Sequence, residues 1–173
     1  MLAALAVLVL VGAGLAAGLL FLTSRDRSTL KATEGPGTLF ADQGARHLRP
    51  GQDAGAVYNS APPTSGPHVP VLPRSDGRPI DDDALLHALE LGNVVLAYSG
   101  AQPPAPLRAL QRELSGPFVS ELAGAGQAVI LARREDVEGS VALAWRRRQG
   151  APSARDPALR EFAEFWLGRG RGG

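Results

Sequence analysis

The sequence predicts an α/β (α+β) domain, a mixed sheet flanked by helices, carried behind an N-terminal transmembrane helix. Three observations lead there. Met1–Leu22 is an unbroken apolar run; beyond residue 80, short strand-like apolar runs alternate with amphipathic helical segments; and residues 46–80 hold seven prolines and no periodicity of either kind. The expected layout is a transmembrane helix over 1–22, a flexible stalk over 23–45, a globular domain over 46–168 with a long proline-rich coil at its start, and a disordered tail over 169–173.

The first element carries no charged residue, and none appears before Arg25. At 1.5 Å per residue such a helix reaches about 33 Å, enough to cross a hydrocarbon core of about 30 Å. A cleaved signal peptide has a shorter apolar region followed by small residues. Here Ala16, Ala17 and Gly18 are followed by Leu19-Leu20-Phe21-Leu22, so the apolar stretch outruns any cut and the segment reads as an uncleaved anchor in the lipid bilayer. Gly14 and Gly18 have the spacing that lets two such helices approach closely, which offers a route to a homodimer. Thr23–Ala45 is polar and contains Gly35-Pro36-Gly37, the composition of a stalk.

Regular structure follows the coil. Asp81-Asp82-Asp83 caps and opens a helix through Leu85, Leu86 and Leu89, which Gly92 ends. Val94–Tyr98 is a strand apolar on both faces. Pro106 starts a second helix with Leu107, Leu110 and Leu114 on one side, closed by Ser115-Gly116-Pro117. Ala128–Ala132 and Val141–Trp145 are two further strands, expected to pair antiparallel across a turn at Glu138-Gly139. Asp156-Pro157 caps a final helix striped by Leu159, Phe162, Phe165 and Trp166.

Composition excludes several functions. Formal net charge is +1, so the chain lacks the basic field of a nucleic-acid binder. Arg146-Arg147-Arg148 reads as a solvated strand end. With no cysteine there is no disulfide, no thiolate metal site and no cysteine nucleophile.

The residues left to carry chemistry are the three histidines, His47, His68 and His87, all within a 41-residue stretch. His47 precedes the Pro50-Gly51 turn. His68 ends Pro62-Pro63-Thr64-Ser65-Gly66-Pro67-His68, where proline on both sides of Ser65-Gly66 stiffens the loop that presents the imidazole. His87 lies mid-helix with Glu90 three residues on. Three imidazoles that converge would suit Zn or Cu and leave a coordination position open. Ser65 near a histidine also raises a hydrolase, although no strand–turn–helix elbow surrounds it.

These same motifs resemble a family of bacterial membrane-anchored proteins catalogued as domain of unknown function 3105. The resemblance spans about residues 42–166. It rests on His47-x-x-Pro50-Gly51, Tyr58, the seven-residue proline motif at 62–68, His87-Ala88-Leu89-Glu90 running into Gly92-x-Val94-Val95-x-x-Tyr98, and Val141-Ala142-Leu143-Ala144-Trp145. It implies an N-terminal anchor and an extracytoplasmic domain with no established activity. Taken alone, Arg25, Arg27 and Lys31 behind the span would favour the cytoplasmic side. In the family pattern a histidine stands where this chain has Leu91, which would pair with His87 at i and i+4 on one helix face; Arg146-Arg147 also replaces an expected small residue. The reading that follows is a single-pass, membrane-tethered, non-enzymatic domain with a structural or interaction role and an unidentified protein partner. The alternative is a metal-binding domain built on His47, His68 and His87.

Overall fold

The computed structural model describes residues 35–55 and 57–172. Met1–Leu22, the expected transmembrane helix, lies outside them; among the described residues no helix is long and apolar enough to cross a membrane. The compact unit runs Pro36–Gly173.

That unit starts ten residues ahead of the expected boundary, because the end of the supposed stalk is paired. β1 (Thr38–Leu39) lies antiparallel to β6 (Arg147–Ala151), and Trp166 Nε1–H donates to Pro36 O at 2.9 Å. The remaining elements are β2 (Arg78–Pro79), α1 (Asp82–Leu91), β3 (Val94–Tyr98), α2 (Ala105–Leu114), α3 (Ser120–Gly124), β4 (Val129–Arg133), β5 (Ser140–Ala144) and α4 (Pro157–Trp166). The long helices and β3, β4 and β5 fall where the sequence predicts them. Asp81 caps α1 by accepting from Ala84 N–H at 2.8 Å, and Gly92 ends it in the left-handed region at φ 112°.

The six strands stand in the order β1-β6-β5-β3-β4-β2. β3 and β4 are parallel, as are β4 and β2, whereas β5 is antiparallel to both β3 and β6. The sheet is therefore mixed, as expected, but the expected β4–β5 pairing does not occur. β5 crosses to the far edge of β3 and pairs there, and its hairpin partner is β6. The arginine run is not a solvated strand end: Arg146 occupies the turn at φ 61°, and Arg147 begins β6, buried, with its guanidinium 5.0 Å from the centre of the Trp166 ring.

Strand alternation sorts the core into two clusters. Val95, Ala97, Ile130 and Leu143 pack beneath α1 and α3, with Leu85, Leu89 and Ala123. Leu96, Tyr98, Leu131 and Ala142 pack on the other face under α2 and α4, with Leu107, Leu159 and Phe162. Each large apolar side chain so buried contributes about 1.5–3 kcal/mol against exposure to water. Asn93, fully buried, ties the ends together: its amide donates to Ala88 O and Ala123 O and accepts from Ala128 N–H.

The long coil is held by point contacts rather than by a ladder. His47 and His68 form a parallel bridge in which Leu48 N–H donates to His68 O at 2.8 Å and His68 N–H to Arg46 O at 3.1 Å. Gly66 N–H donates to Gly44 O, Arg146 N–H to Thr64 O, and Val69 N–H to the Asp83 carboxylate.

Candidate metal centre

The four side chains of the candidate site come from three places in the chain. The parallel bridge sets His47 beside His68. Helix α1 supplies His87 and, one turn on, Glu90; residues three apart share a helix face. Gly66 makes the proline loop possible. Its φ of 138° is unfavourable for residues with a Cβ, and a Cβ there would lie 2.7 Å from the Tyr58 ring, which packs directly on the glycine. The Tyr58 hydroxyl then donates to Pro67 O at 2.8 Å and fixes the residue before His68.

The three predicted histidines converge. Their ring centroids lie 5.2 Å (47–68), 5.6 Å (47–87) and 5.6 Å (68–87) apart. One ligand atom from each, with one Glu90 oxygen, fits within a mutual distance of 4.8 Å. Glu90 Oε2 sits 2.8 Å from His47 Nε2, 3.2 Å from His68 Nε2 and 3.6 Å from His87 Nδ1. Glu90 was not among the residues the sequence singled out as ligands. Its spacing from His87 is the signal that could have found it, and it supplies the donor that Leu91 does not.

The pattern of hydrogen bonds points inward. His68 is completely buried, and its Nδ1 lies 2.9 Å from Gly66 O. A neutral ring that donates there turns the Nε2 lone pair to the centre of the group. That Nε2 makes no hydrogen bond among the described residues despite its closeness to Glu90, and neither does His87 Nδ1, which is also buried. Two sheltered imidazole nitrogens thus face one carboxylate oxygen without a hydrogen bond among the described residues, an arrangement that ordinarily costs free energy. His47, with 48% of its side chain exposed, is the most open to solvent, against 15% for His87 and Glu90 and none for His68.

Electrostatics agree. Burial pushes His87 below the ordinary imidazole range, and the neighbouring His68 adds to the effect against the opposing pull of Glu90. Burial alone would raise Glu90, but the hydrogen bond to His47 and the charges of the three histidines outweigh it and hold the carboxyl below its usual value. A His87 held toward its neutral form and a Glu90 held toward its ionised form are each in the state a cation requires of a ligand. The distances suit one as well. Tetrahedral bonds of about 2.0–2.1 Å put ligand atoms about 3.3 Å apart; the three separations from Glu90 Oε2 bracket that value, and the group as a whole, within 4.8 Å, would draw together on an ion.

The end of the chain reaches the same carboxylate. Gly168 N–H donates to Gly92 O and Arg171 N–H to Glu90 O, while the Arg171 guanidinium lies 3.9 Å from Glu90 Oε1. Gly168 and residues 169–171 of the expected tail thus run along the end of α1. Ser65 offers no nucleophile: it is buried, and its Oγ accepts from Gln43 N–H at 3.1 Å.

No curated protein and no solved structure matches the chain significantly. A family model described as Protein of unknown function (DUF3105) matches residues 51–171, a span that holds His68, His87 and Glu90 and begins four residues after His47. Covering most of the sequence, that match makes the chain a member of the DUF3105 family.

Proposed function

We propose that this protein is a membrane-tethered metal-binding domain that holds one Zn²⁺ or Cu²⁺ ion through His47, His68, His87 and Glu90. The observation that carries this reading is the pair of buried nitrogens, His68 Nε2 and His87 Nδ1, that make no hydrogen bond among the described residues and face the carboxylate that His47 already contacts. A purely structural histidine cluster would be expected to satisfy its lone pairs with donors. Three imidazoles and a carboxylate form a borderline donor set that suits Zn²⁺ and Cu²⁺ and excludes thiolate-dependent sites. Glu90 supplies the negative charge that three neutral imidazoles lack, Gly66 O fixes the His68 tautomer, and the exposed edge of His47 provides the way in.

Titration of the chelator-treated full chain with Zn²⁺ and Cu²⁺ tests this. One equivalent is expected to bind, and His87→Ala and His68→Ala are each expected to lose it. Equal uptake by wild type and both variants would refute the site. The unbroken apolar run over Met1–Leu22 supports the tether. The side of the membrane is taken from the family resemblance, as extracytoplasmic. A reporter active in one compartment only, fused after Gly173, is expected to signal outside the cytoplasm; a cytoplasmic signal would reverse the orientation.

A further inference from the structure

A second site lies at the carboxyl ends of the parallel strands, away from the histidines. Tyr98 and Arg133 end β3 and β4 and are register partners, and Arg78 of β2 stands beside Ala132 in the adjoining parallel pair. Open parallel sheets bind ligands in the crevice beyond these strand ends. Here the crevice is a cleft of about 330 Å³, walled by Arg78, Arg133, Asp76 and Gln102, with Arg108 of α2 across from them. The Arg108 guanidinium reaches over Gly77, within 3.7 Å of where a Cβ would stand.

Two observations indicate that the cleft is built for a ligand rather than merely lined with arginine. The Tyr98 hydroxyl, on a side chain 1% exposed, has no hydrogen-bond partner among the described residues, and neither has the buried Nε of Arg133. Tyr98 is the register partner of Arg133, which walls the cleft. Leaving such donors unsatisfied is costly. Among the described residues Asp76 forms no ion pair with these arginines, and its Oδ2 accepts from Gln111 Nε2 at 2.6 Å. Glu135 holds only the outer end of Arg133, at 3.0 Å from Nη2.

We propose that this cleft binds the phosphoryl group of a small phosphorylated ligand. Arginine forks match phosphoryl oxygens in geometry and charge, and a tyrosine hydroxyl and a guanidinium Nε supply further donors to the same group. The site is independent of the metal centre, so either can fail without the other.

The test uses the chelator-treated full chain, which removes phosphate–metal ligation as an explanation, and inorganic phosphate as the probe. Binding is followed by calorimetry at low ionic strength. One site is expected, weakened at least tenfold by Arg108→Gln and severalfold by Tyr98→Phe, and unchanged in Arg155→Gln, which removes an equal charge from an exposed position elsewhere. Acetate is expected to bind at least tenfold more weakly than phosphate. Circular dichroism of each variant identifies any that fails to fold, and the exposed Arg108 keeps the comparison informative if Tyr98→Phe does. No binding at millimolar phosphate, equal losses in Arg108→Gln and Arg155→Gln, or acetate bound as tightly as phosphate would overturn the proposal.

Discussion

Replacing His47 with alanine is the cleanest perturbation of the metal centre, because this histidine is the least important to the fold. Nearly half of its side chain is exposed, and its hydrogen bond to Glu90 lies at the protein surface. An exposed substitution of this kind shifts stability by about 0.5 kcal/mol, so the metal-free variant is expected to melt close to wild type. The metal-loaded forms should differ sharply. An ion held at one hundred times its dissociation constant stabilises the folded chain by about 2.7 kcal/mol. For a domain of this size that corresponds to a rise in Tm of roughly 9 °C. Loss of an outer-sphere partner alone weakens metal sites by about 10–100-fold, so loss of a direct ligand should cost at least about 100-fold. At the same metal concentration the variant then sits near its dissociation constant and gains only about 0.4 kcal/mol, a rise of roughly 1–2 °C. The assay is a thermal melt of the chelator-treated full chain with and without Zn²⁺, wild type beside His47→Ala. Equal rises in the two proteins, or none in the wild type, would refute the reasoning.

Further outcomes follow from particular contacts. Asn93→Ala removes three hydrogen bonds and leaves Ala128 N–H without its acceptor in the core, while Ala123 O keeps Gly126 N–H, so urea unfolding should show a loss of roughly 1–3 kcal/mol. Gly66→Ala should destabilise by roughly 1–3 kcal/mol, through its positive φ and the Tyr58 ring; a stabilised variant would show that the loop tolerates a Cβ. Asp136 is held below the ordinary carboxylate range, chiefly by its hydrogen bond with Arg134, which outweighs the upward push of burial. Its folded value being depressed, its contribution is complete above an unfolded value of about 3.9 and is lost as pH falls through the lower folded value. Asp136→Asn should therefore flatten the decline of the urea midpoint below about pH 4, and an unchanged slope would remove the pair from the acid response.

Much of the fold is legible locally. The Asp81 cap, the Gly92 stop and the Leu85, Leu86 and Leu89 pattern define α1 without reference to anything distant, and the apolar runs of β3 and β4 do the same for the centre of the sheet. What local pattern could not give is pairing. β1 and β2 are two-residue strands, each recognisable only by its neighbour, and β6, Arg147–Ala151, looks polar because its burial comes from Trp166 and β1 rather than from its own composition. The expected β4–β5 hairpin fails for a related reason. A turn at Gly139 permits a reversal but does not specify which strand edge is free to receive the chain.

The same division runs through the site. The sequence by itself determined the inventory: three histidines and no cysteine, a proline-stiffened loop ending in His68, and a helix carrying His87 with Glu90 one turn away, because these are properties of residue type and helical period. Folding brings His47 and His68 side by side, sets Glu90 against all three rings, and gathers Arg78, Arg108 and Arg133 around one cleft. Those meetings depend on a parallel bridge 21 residues apart in sequence and on strands joined out of chain order, and the free energy that fixes them comes from long-range burial and backbone pairing, which no local spacing encodes.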